Sequence, residues 1–501
     1  MKKILVQKSI FYYIVYMKDL STKEQIRVLY DASEKAVITL VQGLLDQISH
    51  LEQIVESQEK RIMALEEQLK KNSRNSDKPP SSDGLKRQIK STRSKSFRQS
   101  GGQKGHDGHT LKMVSEPDHN RKHGIEECTH CHGSLQDAEI VGYKKRQVFD
   151  IPPLKLEVTE HQAKVKKCCR CGAINIAAFP ADVVQSVQYG PGIKSFSVYL
   201  MQYQLIPSER TTELLEDIFG QSISEGTLYN WNRAAYQALE NTEAEIKQQL
   251  IQSPINHFDE TGTFCQNKLN WLHVVSNPRL TYYAIHPKRG KEAMDAVNIL
   301  PQYKGIAVHD FWSSYLPYKC KHVICNAHLI RELTALSETL NQKWSSQMTE
   351  LLLTIKKRVE QSSSHKNSLD MLTLQRFEKE YDKLVCQGLG LNPIRDKKNQ
   401  KRGRQKQTKA TNLLRRLQEY RSDILAFMYD FRIPFTNNLA ERDLRMVQVK
   451  QKISGTFRSR EGASFFCRIR GFISTIKKNN CNVLDSISQT LLGEPISLLF
   501  N

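Results

Sequence analysis

The chain has 501 residues, a net charge of +21 and 39% hydrophobic residues, which allows several domains of about 100–200 residues each and a sizeable core. So large a positive charge points to a polyanionic partner, nucleic acid or an anionic surface, although a ribosome-associated basic protein would share it. Eleven cysteines, four of them in two C-x-x-C pairs, do not make the disulfide framework of a short secreted domain and fit a reducing cytoplasm.

The apolar stretch from Ile10 to Met17 is shorter than the roughly 20 residues a membrane helix needs. It also lacks the small-residue cleavage site of a secretory signal, so no membrane partner is expected. Met17 offers an alternative start, and residues 1–33 read as an N-terminal extension. Residues 34–72 read as a coiled-coil helix. Val41, Leu44, Ile48, Leu51, Val55, Ile62, Leu65 and Leu69 follow an alternating 3,4 spacing that only Gln58 interrupts. The remaining positions are strongly polar, which favours self-association over packing within one domain. The helix should stop at Asn72–Ser76, before Pro79 and Pro80. Residues 73–125 read as a basic linker, disordered when free, since Leu85 to Lys104 holds seven Lys/Arg and no acid. Lys86, Arg87, Lys90 and Arg93 are its candidate phosphate contacts; a solvated spacer is the alternative.

Residues 126–180 read as a zinc-binding module. Cys128/Cys131 and Cys168/Cys171 are separated by 36 residues, and each pair lets one tight turn present two thiolates to a tetrahedral ion. The stretch from Lys155 to Val165 looks like a strand that could bridge them. Cys169, His130 and His132 are competing ligands. A closed four-thiolate site does no chemistry, so its role would be to hold a small recognition module.

Residues 186–245 read as short helices. One runs from Gly192 to Tyr203, a second is capped by Ser208 and ends near Gly220, and a third is capped by Ser224 and runs through Trp231. Helix, glycine-containing turn, helix suits a helix-turn-helix DNA reader and equally an ordinary helical hairpin.

After Pro254 come short β-branched or aromatic runs: Ile255–Phe258, Trp271–Val275, Leu280–Ile285, Gly305–Val308 and His322–Cys325, with a helix from Lys291 to Ile299 between the third and fourth. This order predicts a mixed α/β sheet. Residues 332–430 read as a helical insertion, with helices at Trp344–Val359, Leu369–Val385 and Asn412–Tyr429. Inside it Lys397 to Lys409 places seven cations in thirteen positions with no acid, among them Lys401, Arg402 and Arg404. Residues 477–501 read as a C-terminal tail.

Three acids attract attention. Asp259 ends the first strand, Asp310 ends the fourth, and Glu441 opens a helix. Carboxylates at neighbouring strand ends can converge, and three can hold two divalent ions about 3.5–4 Å apart, which suits phosphodiester chemistry. Magnesium fits hard carboxylate oxygens and keeps open water positions. Each acid has a plainer reading as a cap or turn former, and Asn438 with Glu441 could be a capping box. Glu260 and Asp443 are rivals that spacing does not separate. Arg442, Arg445, Lys450, Lys452, Arg458 and Arg460 form a cationic border, suited to phosphates approaching acids or to a solvated helix face. Cys325 and His328 form a C-x-x-H pair that, without a second pair nearby, reads as packing or support rather than zinc.

Taken in order, several stretches resemble transposases of the insertion sequence 66 family: Ser76–Asp83, Gly101–Thr110, the two C-x-x-C knuckles, His257–Gly262, His309–Tyr315, Cys325–Leu333, Pro434–Arg442, Lys452–Arg458 and Arg470–Lys477. The resemblance implies a bacterial DDE-type enzyme with an RNase H-like catalytic domain over residues 250–476. It implies that Asp259, Asp310 and Glu441 hold Mg²⁺ or Mn²⁺, supported by Cys325, His328, Asn437 and Asn438, and that Zn²⁺ is structural. It further implies an N-terminal region for end recognition and assembly as a homo-oligomer, action in the cytoplasm on the nucleoid, and DNA partners comprising the element's terminal inverted repeats and a target, with accessory proteins of the same element. The alternative is an inactive DNA-binding regulator descended from such an enzyme. Cys169 beside Cys168 departs slightly from the pattern and leaves the register of the second knuckle open.

Overall fold

The computed structural model describes residues 23–24, 27, 30–31, 34–71, 75–76, 111–363, 365–394 and 407–494. The basic positions Lys86, Arg87, Lys90, Arg93, Lys401, Arg402 and Arg404 lie outside the described residues, as does the 101–110 motif. The chain divides into two compact units. One comprises Met1–Gln88, Ile330–Glu350 and Cys386–Thr411; the other comprises Ile89–Leu329, Leu351–Val385 and Asn412–Asn501.

In the first unit the expected long helix is α1 (Glu34–Lys70). All eight residues of its 3,4 stripe, Val41 through Leu69, are exposed, so the apolar seam stands in water within the single chain. Elsewhere in this unit polar groups pair tightly. Gln342 and Asn392 exchange two amide hydrogen bonds of 2.9 and 2.8 Å, and Asn75 donates to Glu338 at 2.8 Å.

The second unit starts with a stretch in which no residue from 111 to 190 is buried. Its regular structure is one hairpin, β1 (Val165–Lys167) against β2 (Ile174–Ile176). The strand anticipated from Lys155 to Val165 does not form. Residues 155–164 are irregular, and exposed apart from half-buried Leu156 and Ala163, because the partner strand Ile174–Ile176 reaches back only as far as Val165.

Four helices follow: α2 (Pro191–Val198, continued by a π-helical turn Tyr199–Tyr203), α3 (Ser208–Phe219), α4 (Glu225–Ala238) and α5 (Glu240–Gln252). Proline at the start of α2 loses no helical hydrogen bond. Gly220 ends α3 in the left-handed region at φ 66°, the conformation glycine adopts without a Cβ clash. Ser224 caps α4 by accepting from Thr227 N. Ser208 is not the cap of α3 as anticipated: it is the first helical residue after Pro207 and makes no side-chain cap. Ile193, Leu215, Leu228, Trp231 and Ala235 share one core with Phe465, Ile469, Ile476, Val483 and Ile487. The stretch read as a tail therefore contributes to that core through a helix of its own, Val483–Leu491.

The sheet has five strands: β3 (Ile255–Cys265), β4 (Lys268–Ser276), β5 (Thr281–His286), β6 (Ile306–His309) and β7 (Lys321–Ile324). Helix α6 (Lys291–Val297) lies between β5 and β6. The spatial order is β5-β4-β3-β6-β7, with β3, β4 and β5 antiparallel and β6 and β7 parallel to β3. The first strand runs well past Phe258, because β4 partners it without a break from His257↔Ser276 to Cys265↔Lys268. Gln266 and Asn267 close this hairpin with φ of 51° and 59°, the paired positive values of a tight two-residue turn. Asp259 therefore lies inside a strand, not at its end, whereas Asp310 follows β6 directly.

Helices α7 (Asn326–Leu340), α8 (Lys343–Ser362), α9 (Met371–Leu391) and α10 (Lys409–Glu419) come next. The single helix anticipated to Tyr429 instead breaks into α10, α11 (Arg421–Ile424) and α12 (Ala426–Tyr429). The chain ends with α13 (Asn438–Ser454), α14 (Arg460–Lys478) and α15 (Val483–Leu491). One sheet face is covered where Leu272, Val274 and Tyr283 pack on Ala440, Leu444, Val447 and Phe466. The other is covered where Phe258, Val275 and Ala307 pack on Ile246, Leu250, Met294 and Tyr315.

Gly305 leads into β6 at a point where a Cβ would lie 2.7 Å from both Ser253 O and Pro254 O. Backbone oxygens cannot swing aside as a side chain can, so Gly305→Ala forces β6 away from the start of β3. The expected loss is about 1–3 kcal/mol, read as a lower denaturant midpoint with an unchanged slope.

Candidate active site

Successive side chains of a strand point to opposite faces, which separates the adjacent acids of β3. Glu260 points into an ion-pair nest. Arg289 donates to its Oε1 through Nε at 2.9 Å and Nη2 at 2.8 Å, Tyr315 OH donates to Oε2, and the side chain is 1% exposed. The guanidinium is itself held between two indoles, 4.8 Å from Trp271 and 4.2 Å from Trp312. Glu260 is thus committed to structure. The other rival, Asp443, is committed too: it accepts from Lys478 Nζ at 2.8 Å, and Tyr283 OH donates to its carbonyl.

Asp259 is held differently. Its Oδ1 accepts the Glu260 amide at 2.9 Å, and its carboxyl is pushed up to about 8 by burial first, then by the negative charges of Glu260, Asp310 and Glu441. The negative charges of Asp310 and Glu441 thus reach Asp259, but the carboxylate oxygens of the three acids do not all lie within 4.8 Å of one another. Asp310 is anchored by its own loop, accepting from Trp312 N at 3.0 Å. Behind it the His309 ring stacks on Tyr315 at 4.5 Å and contacts His322 at 2.9 Å. Burial pushes His309 down to about 3, so it is a neutral spacer under the acid.

Glu441 sits in the first turn of α13, where the helix dipole favours a negative charge. The capping box considered for Asn438 and Glu441 does not form. The cap position belongs to Asn437, and no side chain caps the helix. The Asn437 amide is used across the chain instead. Its Nδ2 donates to Phe258 O at 2.8 Å, which leaves Oδ1, 2.9 Å from His257 Nδ1, to accept from that ring. These two bonds tie the start of α13 to the segment of β3 that carries Asp259. Asn438, the other residue anticipated as support, is the first residue of the helix.

Cys325 is buried and receives the Asn437 backbone N–H at 3.1 Å. His328 Nδ1 lies 3.8 Å from Glu441 Oε1. Donor atoms of Cys325, His328 and Glu441 all fall within 4.8 Å of one another, the group of this kind among the described residues. The C-x-x-H signal was legible in the sequence; its third member, from 113 residues further on, was not.

The two C-x-x-C turns are built alike. Cys128 N donates to Gly133 O and Cys168 N to Ala173 O, both at 2.8 Å; His132 N donates to Cys128 O and Gly172 N to Cys168 O, both at 2.9 Å. The fifth position is left-handed in each, with φ of 55° at His132 and 73° at Gly172. Backbone amides aimed at the first sulfur of each turn lower the thiols of Cys128 and Cys168, which favours the thiolate a metal needs. Cys131 and Cys171 complete the pairs, and the two turns do not join into one ligand group among the described residues. Of the cationic border, Arg442, Arg445, Lys452, Arg458 and Arg460 are exposed. Lys450 is different: its ammonium lies over the rings of Phe457 and Phe466, at 5.2 and 5.6 Å, and this packing removes it from the exposed border.

Comparison with known families places these features. Residues 126–172 match the zinc-finger binding domain of transposase IS66, and residues 26–112 match a family of unknown function. No curated protein matches the chain. Among solved structures, the catalytic domain of Mos1 mariner transposase aligns at 13% identity over 39% of this chain and 92% of that one, with a TM-score of 0.11, too low to bear on the fold. Residues 186–465, more than half of the chain, match the Transposase IS66 family, and the chain belongs to that family.

Proposed function

We propose that this transposase binds the terminal repeats of its element and cuts and joins DNA at a divalent-metal site formed by Asp259, Asp310 and Glu441. What supports this most directly is the placement of the three acids on β3, directly after its parallel partner β6 and in the first turn of α13, which Asn437 ties to β3. Their natural rivals, Glu260 and Asp443, are each neutralised by a cation of the fold. Magnesium or manganese bound there would activate the attacking oxygen and steady the departing one. The chain's own part is to keep the carboxylates together against their repulsion, with Asn437 fixing Glu441 relative to Asp259. Its exposed arginines and Lys452 draw the phosphate backbone toward acids that would otherwise repel it.

The knuckle module has no buried residue to hold it together, so it cannot fold by hydrophobic burial. Zinc held by Cys128, Cys131, Cys168 and Cys171 would supply that folding energy. The exposed stripe of α1 supports pairing with a second copy of the chain, which suits an enzyme that must hold two DNA ends. No helix among the described residues is long and apolar enough to cross a membrane.

Asp310→Asn should lower strand cleavage and transfer with Mg²⁺ by about a thousandfold, equivalent to several kcal/mol of lost transition-state stabilisation. Activity equal to wild type would remove Asp310 from the set. The metal response should also depend on pH. With its carboxyl raised to about 8, metal-free Asp259 keeps its proton at neutral pH, while the unfolded chain gives its proton up near 4. The native state therefore loses this contribution as pH rises toward 8. Metal needs the ionised form, so the thermal shift produced by Mg²⁺ should grow between about pH 6 and pH 8 and level off above; a flat profile would count against Asp259 as a ligand. For zinc, metal analysis of the full chain should find a tightly held ion at the knuckles that the Cys128→Ser/Cys168→Ser double variant loses.

A further inference from the structure

Glu441 has a second environment besides the other acids. Its Oε1 is sealed from solvent and accepts no hydrogen bond. On that side lie a thiol and an imidazole. His328 Nδ1 stands 3.8 Å away, too far for a hydrogen bond. This is close to the spacing of about 3.3–3.8 Å that two ligands of one tetrahedral zinc ion adopt, given Zn–N near 2.0 Å and Zn–S near 2.3 Å. The three donor atoms lie within 4.8 Å of one another, so closing on an ion requires only rotamer-scale movement.

The surroundings offer the sulfur a backbone donor. Cys325 is buried immediately before the N-terminus of α7, whose dipole stabilises negative charge. The Asn437 backbone N–H donates to its sulfur at 3.1 Å. A donor of this kind orients and stabilises a metal-bound thiolate. The same Asn437 carries the side chain that ties α13 to β3, so one residue fixes both Cys325 and Glu441. Half-buried His328 and Glu441, with side chains 22% and 26% exposed, leave an entry path from solvent.

One thiolate, one imidazole and one carboxylate oxygen make a borderline-soft set. It suits zinc and excludes magnesium, which takes hard oxygen ligands. We propose that Cys325, His328 and Glu441 form a zinc site distinct from the two C-x-x-C turns, and that filling it withdraws Glu441 from the magnesium-binding acids and inhibits DNA cleavage. Binding releases the Cys325 proton to solvent and uses neutral His328. The inhibitory half rests on the metal-nuclease reading; the zinc site itself does not.

Cobalt(II) is the probe, because a thiolate–cobalt bond gives a near-ultraviolet charge-transfer band. The full-length Cys131→Ser/Cys171→Ser variant, which disables the knuckles, should still develop that band with Co²⁺. Adding Cys325→Ser should abolish it. Adding His328→Gln should weaken cobalt binding by more than the roughly 10–100-fold that outer-shell changes cost. His328 is partly exposed, so this arm decides the matter if Cys325→Ser fails to fold. Absence of the band before Cys325 is changed, or its survival afterwards, overturns the site. In parallel, Mg²⁺-dependent cleavage of a duplex carrying the element's ends should fall about tenfold on adding zinc chloride and return with a zinc chelator. Undiminished cleavage beside a clear cobalt band overturns the inhibition. Absence of cleavage with Mg²⁺ alone refutes the nuclease reading while the cobalt result still decides the site.

Discussion

Carboxylates held together and partly out of water repel one another more strongly than they would in solvent, and each must also give up hydration. The fold has to supply that energy from elsewhere, and much of this unit can be read as the means of doing so. Antiparallel β4, itself paired with β5, extends and stiffens the strand bearing Asp259. Parallel pairing with β6 brings Asp310 alongside. The core beneath α13 and α14 then sets the position of Glu441.

Neutralisation of the surplus acids belongs to the same arrangement. Glu260 and Asp443 stand within two residues of the proposed ligands, and left ionised and unpaired they would add to the repulsion. Arg289, clasped by Trp271 and Trp312, and half-buried Lys478 cancel them. A perturbed acid such as Asp259 is a candidate functional group as well as a burden on stability.

Asn437 occupies a small but central position. Its side chain reads β3 through Phe258 O and His257, and its backbone amide reads Cys325. A single residue thus relates the strand, the start of α7 and the start of α13. A change there would be felt at the acids and at the thiol together. The helices from residue 190 onward stand in a comparable relation to the C-terminal helices. They share one core with α14 and α15, so whatever surface they present is fixed by residues more than 200 positions later.

The sequence by itself determined the local elements whose cause is local. The 3,4 stripe of α1, the left-handed Gly220, the Ser224 cap, the two matched C-x-x-C turns and the short strands all follow from side-chain spacing and backbone preference. Asp259, Asp310 and Glu441 stood out beside the strand and helix signals, but spacing did not separate them from Glu260 and Asp443, and their expected role came from the family resemblance. What depended on partners was not legible. Strand β3 runs past Phe258 only because β4 is there to pair with it, and residues 155–164 lack a strand because no partner reaches them. Asn438 and Glu441 had the spacing of a capping box, but the cap position went to Asn437, whose amide β3 claimed. Lys450 read as a phosphate contact until two phenylalanine rings were seen beneath it. The binding of Glu260 by Arg289 and Tyr315, and the meeting of Glu441 with Cys325 and His328, are contacts between residues far apart in the chain. Spacing carries no information about such contacts, and only the folded sheet and its covering helices decide them.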